Sequence, residues 1–321
     1  MKSFLLLIVC AFLFTSCASL QDKSSMIKEQ EETILFTKAF SYFEVIEKTY
    51  VDWKFEQLDT TTTKGKIEYK LLADRKESLL ELSLDTYEEF ITAYPKSKLV
   101  PKALYNLAHI NSLLGETEEE ISYLQQLLAA KANDRDASGR NGLMENPYAN
   151  YKHEASWRLT QIYIDKGDFE KALAYKKIND TYPLQHFCGN AFAAEEIFNA
   201  QAYGAIYHGM GKTKKALHYL LPHIFENGFA DNKELVTQTI AILKEQNDID
   251  TIKSSLKNAM SNISTKTELK NDYEWTNYYI TFQDTEILVP SWGIFEEDEN
   301  LIREKISERI QTSEFYKRLH E

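Results

Sequence analysis

Glu154–Tyr175 reads EASWRLTQIYIDKGDFEKALAY, and the fold follows from how this stretch is spaced around Gly167. Apolar residues recur at helical intervals before the glycine and again after it, so the stretch predicts two helices joined by a one-glycine turn. Leu159 lies eight residues before Gly167, Thr160 seven before and Tyr163 four before; Ala172 and Leu173 follow it by five and six. Two helices that cross closely need a small residue at the crossing and a large apolar residue beside it. The backbone between them needs glycine to turn.

The same spacing recurs on both sides. Pro101–Leu128, PKALYNLAHINSLLGETEEEISYLQQLL, places Leu107, Ala108, Asn111, Glu120 and Ile121 around Gly115. Ala200–Leu220, AQAYGAIYHGMGKTKKALHYL, places Tyr203, Gly204, Tyr207, Ala216 and Leu217 around Gly211. Glu120 stands where the other copies have alanine, so it is expected to rotate outward or to splay its helices, because a bare buried carboxylate is very costly. These three segments resemble the tetratricopeptide repeat. The turn glycines are 52 and then 44 residues apart (115 to 167, 167 to 211), against a repeat of about 34. Insertions are therefore expected near 129–152 and 182–196. The segment YEEFITAYPKSKLVPKALYNLA at 87–108 carries a Tyr-Pro-x-Ser stop at Tyr94–Ser97 and a fresh helix opening at Pro101. It is similar to the repeat junctions of the tetratricopeptide lipoprotein of the outer-membrane β-barrel assembly machinery, and to those of other periplasmic repeat proteins.

The resemblance implies an all-α, αα-solenoid interaction scaffold spanning 33–264. It also implies a concave surface formed by the first helix of each pair, with the positions ten and six residues before each turn glycine facing inward. Here those are Tyr105 and His109, Trp157 and Gln161, and Gln201 and Ala205, joined by His208 in the third copy. Flat aromatic and amide side chains without strong charge suit an extended peptide. The alternative is that Tyr105 and Trp157 merely pack against the neighbouring repeat. The Lys/Asn pairing with which chaperone-tail-binding members hold a terminal carboxylate is missing from this set.

Upstream of 87, Phe36, Phe40, Phe43, Ile46 and Tyr50 predict an aromatic-rich helix within 33–55, paired with 67–84 across a threonine-rich loop. Downstream of the third copy, Lys233–Lys244 and Ile249–Ile263 read as a fourth, degraded pair. Trp275–Val289, WTNYYITFQDTEILV, alternates as a β-hairpin turning near Asp284. A final helix spans 299–319 with Ile302, Ile306 and Ile310 on one stripe. The segment 265–321 is expected to cap the array, since a terminal repeat cannot leave its apolar face open.

The N-terminus orders Lys2, an apolar run Phe4–Phe14, then Thr15-Ser16-Cys17. That order predicts a signal peptide over 1–16, too short to span a bilayer, which takes about 20 residues. Phe14–Cys17 resembles a bacterial lipobox, with Phe14 where leucine is usual. The resemblance implies cleavage before Cys17, acylation of Cys17, and a lipid anchor in the cell envelope, at the outer membrane, with 17–32 as a polar tether. Cys10 would leave with the signal and Cys17 carry lipid, so Cys188 alone remains and no intramolecular disulfide forms. With 37 basic and 49 acidic residues the net charge is −12. Loss of Lys2 alone would make it −13 (36 minus 49), which disfavours nucleic acid.

Chemistry-bearing patterns are few. Asp134, Asp136, Ser138 and Glu145 fall at the first, third, fifth and twelfth places of an EF-hand-type loop with Gly139 at the sixth. Oxygen ligands at that spacing suit calcium, although Asn141 and Pro147 depart from the pattern. The competing reading is a polar surface loop. His186 and Cys188 are two residues apart, and the seven histidines form no four-residue pair. The sequence therefore predicts no enzyme and no cofactor besides possible calcium. Two functions remain: a membrane-tethered adaptor for a protein or peptide of the envelope, or a structural subunit of an outer-membrane assembly or transport complex.

Overall fold

The computed structural model describes residues 2–50, 52–132, 134–135, 148–225, 229–270 and 273–321; within these, the side chains of 2–25, 52–53, 270 and 273 are not described. The chain divides into two compact units, Met1–Ala132 and Asn133–Glu321.

In the first unit, α1 (Lys2–Thr49), α2 (Asp52–Glu56), α3 (Thr63–Ala93), α4 (Val100–Leu114) and α5 (Thr117–Ala129) follow one another. Helical backbone runs through 17–32, the segment read as a tether, and the Cys17 side chain lies outside the described residues. The threonine run begins α3 rather than merely interrupting it: Thr62 Oγ1 accepts the Gly65 amide at 3.0 Å as the cap. α3 then continues without a break to the Tyr-Pro stop, joining the two segments that the sequence suggested separately. The core between α1, α3 and α4 is aromatic. Phe36 meets Tyr87 and Phe90 edge-on, with ring centroids 5.6 and 5.3 Å apart. Two buried polar bonds fix the register: Ser83 Oγ donates to the Ala39 carbonyl at 2.9 Å, and Asn106 Nδ2 donates to Tyr87 Oη at 2.7 Å.

Glu120 corrects an expectation. It is only 3 % exposed, not rotated outward. The rotation of α5 is set by Ile121, Leu124 and Leu127, all buried, and Glu120 shares their face at i, i+4 and i+7 spacing. The residue is not without an interaction partner there.

The second unit holds α6 (Tyr151–Asp165), α7 (Phe169–Asn179), α8 (Gly189–Gly209), α9 (Thr213–Leu220), a 3-10 turn at Leu221–His223, α10 (Lys233–Gln246) and α11 (Ile249–Met260). Three strands follow, β1 (Ser264–Lys270), β2 (Tyr273–Phe282) and β3 (Thr285–Val289), then α12 (Glu299–Thr312) and α13 (Glu314–His320). Much of the expected insertion at 182–196 is helix, because α8 begins at Gly189 and adds turns ahead of the repeat pattern. Gly204 is the close-contact residue: a Cβ there would lie 2.7 Å from the Leu220 side chain. Gly209 serves the same end against Phe169, whose ring a Cβ would meet at 2.2 Å.

All three turns are built alike. Gly115, Gly167 and Gly211 have φ of 80°, 70° and 72°. Each glycine amide bonds the carbonyl three residues back, at 3.2, 2.9 and 2.8 Å, and the next amide bonds the carbonyl five back, at 2.9, 2.9 and 2.8 Å. That is the Schellman arrangement, which closes the orphan carbonyls of the first helix.

The cap is an antiparallel sheet in the order β1-β2-β3. β2 and β3 form the expected hairpin, with Phe282 paired to Thr285. Its two-residue turn is Gln283-Asp284, both at positive φ (51° and 59°), as a type I′ turn requires even without glycine. β1 was not foreseen. The final helix divides at Ser313, whose hydroxyl caps α13 by accepting the Tyr316 amide at 3.2 Å. Ile306 and Ile310 are fully buried, as the stripe predicts, in one core with Leu221, Leu235, Leu256, Ile280, Phe282 and Phe315.

Candidate functional site

The first helices of the pairs in the second unit, α6, α8 and α10, each bring one face to a shared hollow. From α6 come Trp157 and Gln161, from α8 Phe198, Gln201 and Ala205, and from α10 Gln238; the hollow measures about 400 Å³. The i, i+4 and i+3 intervals along each helix place these side chains on one stripe. Trp157 leans on Phe198 with centroids 6.4 Å apart and planes at 41°. Gln238 Nε2 donates to the Gln201 carbonyl at 3.3 Å, which orients its amide. The lining combines the Trp157 and Phe198 rings, the latter 48 % exposed, with the half-buried amides of Gln161, Gln201 and Gln238 and the Glu234 carboxylate, an arrangement able to hold an extended backbone by flat contact and hydrogen bonds.

Four residues singled out from the sequence thus meet here: Trp157, Gln161, Gln201 and Ala205. Phe198 and Gln238 were missed; Phe198 stands three residues before Gln201 on α8, and Gln238 lies in a pair without a turn glycine. His208 does not join them. Its Nε2 faces Glu245 Oε1 at 3.4 Å. Tyr105 and His109 belong to the first unit, where Tyr105 is half-buried and His109 is exposed, edge-on to Phe43 at 5.5 Å. Of the calcium set, Asp136, Ser138 and Glu145 lie outside the described residues. Asp134 is described, and its Oδ1 accepts the Lys152 amide at 2.8 Å, in the first turn of α6. The Cys188 amide donates to His186 Nδ1 at 2.9 Å, so this pair is joined through the backbone.

Behind Trp157 lies a buried polar cluster that no sequence pattern announced. Lys176 on α7 is completely buried. Its ammonium donates to Asn179 Oδ1 at 3.0 Å and to Asp180, and it sits between the Trp157 and Tyr203 rings, 5.9 and 5.1 Å from their centroids. Tyr203 in turn donates to Asp180, and burial first, then that carboxylate, push its phenol pKa up. The tryptophan of the hollow is therefore held from behind by a cation.

His153 and Glu195 form the other half of the cluster. His153 Nδ1 is 2.8 Å from the Tyr182 carbonyl and Nε2 is 3.6 Å from Glu195 Oε1. Burial is the largest influence and would lower the imidazole pKa, but Glu195 and the Tyr182 carbonyl together outweigh it and raise it. Burial would likewise raise Glu195, but His153, Asn199 and Lys176 hold it below the usual carboxylate range. A histidine whose folded pKa is raised contributes stability that is fully present below its unfolded value, 6.5, and is lost as pH rises through the folded value. The melting temperature should therefore fall as pH rises above 6.5. In His153→Gln this part of the fall should disappear, with the neighbouring Glu154, raised chiefly by burial, present in both proteins. Equal pH slopes in the two proteins, read by thermal circular dichroism, would refute the coupling.

Comparison with known families bears on the first unit. A tetratricopeptide-repeat model matches residues 101–134. Residues 101–134 are a tetratricopeptide repeat. This repeat comprises α4 and α5, joined at Gly115, and includes the buried Glu120. The turns at Gly167 and Gly211 reproduce its hydrogen bonds. Repeats of this kind generally mediate protein–protein interaction and are typically non-catalytic scaffolds. A search of the curated proteins finds no match.

Proposed function

We propose that this chain is a membrane-tethered tetratricopeptide lipoprotein of the bacterial cell envelope that holds an extended segment of a partner protein. The observation that carries the adaptor reading is the hollow where α6, α8 and α10 present Trp157, Phe198, Gln161, Gln201 and Gln238 together. Sites of a few hundred Å³ with apolar walls and a few oriented polar groups are the usual form of a specific pocket. The tether rests on the lipobox resemblance at Phe14–Cys17 and on the physics of acyl anchoring, in which several chains give stable attachment. The outer membrane is the proposed location.

A second reading has its own observation. Between β3 and α12, Phe295 is 92 % exposed and Trp292 59 % exposed. This loop is ordered: Arg309 Nη1 donates to the carbonyls of Pro290 and Trp292 at 2.7 and 2.9 Å, and its guanidinium lies 4.7 Å from the Trp292 ring. Large aromatics held outward suit a permanent interface of a structural subunit.

One experiment separates these readings. A photo-crosslinking residue is placed at Gln201 or at Phe295 and irradiated in native membranes. The adaptor reading expects a protein adduct from position 201; an adduct from 295 alone favours the structural subunit. The tether is tested alongside: Cys17→Ser should leave the signal uncleaved or release the protein into the soluble fraction. If that variant fractionates with membranes in cleaved form as the wild type does, lipid is not the anchor.

A further inference from the structure

A second cavity, of about 340 Å³, opens where the ends of α6 and α7 meet the start of α8, on the far side of the His153–Glu195 pair. Its charges are sorted by depth. The bases are sealed: the Lys176 ammonium is wholly buried and committed to Asn179 and Asp180, and the His153 side chain is 5 % exposed with both nitrogens facing acceptors. The acids are open: the side chains of Glu195 and Asp180 are 19 % and 45 % exposed, and Glu196 is exposed beside them. A guest entering from solvent thus meets these carboxylates and cannot reach Lys176 or His153; the half-buried Lys152 rests on the Tyr182 ring. Asn199 adds an independent sign. Its Nδ2 donates to Glu195 Oε1 at 3.1 Å, while its Oδ1, buried, has no donor among the described residues. A buried acceptor left in that state is costly, and an N–H donor would relieve it.

The walls are hydrocarbon and aromatic. Pro183, Leu184 and Phe192 line one side, with Phe192 43 % exposed. The Tyr182 ring already receives one cation, with Lys152 Nζ 5.7 Å from its centroid. Carboxylates at the mouth, an orphan acceptor and an apolar wall match a cationic nitrogen on an alkyl stem, which buries its methylenes while its head keeps hydrogen-bond partners. We infer that this cavity is a binding pocket for an alkylammonium or alkylguanidinium group, supplied either by a free amine or by a lysine or arginine side chain of a peptide. The inference is independent of the hollow at Trp157, since it uses other residues.

Titration calorimetry on the full chain in detergent tests it with four probes: n-butylammonium, a blocked Gly-Lys-Gly peptide, its norleucine counterpart, and butyrate. The lysine peptide should bind about tenfold or more tighter than the norleucine peptide, a gap set by one charge-assisted contact, and butyrate should give no heat. Glu196→Gln, an exposed substitution that leaves folding intact, should weaken the lysine peptide about threefold. Glu195→Gln with Glu196→Gln should weaken it about tenfold or more. Should the double variant fail to fold, Phe192→Ala, expected to weaken both cations about threefold, replaces it. Butylammonium binding as tightly as the peptide marks a free amine as the source; a tighter peptide marks a side chain of a partner. Equal binding of the lysine and norleucine peptides, binding of butyrate, or no heat from any probe at ten-millimolar concentration overturns the assignment.

Discussion

Lys176→Ala should lower the unfolding free energy of the second unit by about 2–5 kcal/mol, the range for truncating a long buried side chain to alanine. The side chain has no exposed surface. Its loss leaves an empty channel between Trp157 and Tyr203 and strips Asn179 Oδ1 of its donor. Lys176→Met should cost less, about 1–2 kcal/mol, because methionine refills the channel and Asp180, 45 % exposed, regains water. Denaturant titration of both variants measures the difference. A Lys176→Ala protein within about 1 kcal/mol of wild type would show that the cluster is no structural pin. Equal losses in the two variants would assign the effect to charge rather than to volume.

Trp157→Ala with Gln161→Ala should weaken the native partner about 30-fold to 1,000-fold, the range for truncating a central aromatic anchor of an interface. The structure gives Trp157 two duties, since one neighbour is Phe198 of the hollow and another is the buried Lys176 ammonium. A stability loss of about 1–2 kcal/mol is therefore also expected. Gln161→Ala with Gln238→Ala separates the duties: both side chains are half-buried amides of the hollow, so partner affinity should fall with the helical melt unchanged. Affinity must be measured well below the melting temperature. If the tryptophan variant keeps its partner within about threefold while melting several degrees lower, the ring is packing and the hollow is not the working surface.

The parts of this fold that were legible in the sequence are those whose physics is local. A glycine at positive φ has few substitutes, so Gly115, Gly167 and Gly211 marked their turns, whereas the inward positions on α6 and α8 rested on the resemblance to the repeat. The outward rotation expected of Glu120 failed because a residue's chemistry was allowed to outvote the rotation of its helix; Ile121, Leu124 and Leu127 set that rotation. β1 was invisible because STKTELK lacks an apolar alternation, its described residues being exposed throughout and its pairing supplied by β2. The Gln283-Asp284 turn could be placed but not typed, since neither residue demands positive φ. The Lys176 cluster was beyond reach for a different reason. Its members come from α6, α7, α8 and the loops between them, and a lysine on a helix reads as a solvated charge until the neighbours that enclose it are known. The cavity beside His153 shares that origin.

The cap has a consequence for biosynthesis. Leu221, Ile224, Leu235 and Leu243 share one core with Ile280, Phe282, Ile287 and Phe315, so the apolar side of α10 is completed by residues far downstream in the chain. Contacts so distant in sequence form late, because the intervening chain must first be closed into a loop. A growing chain would thus carry an open, aggregation-prone face on α10 until the segment through α13 has been made. Truncation ahead of α13, which removes the buried Phe315 and Leu319, would reopen that side of the core in the folded protein.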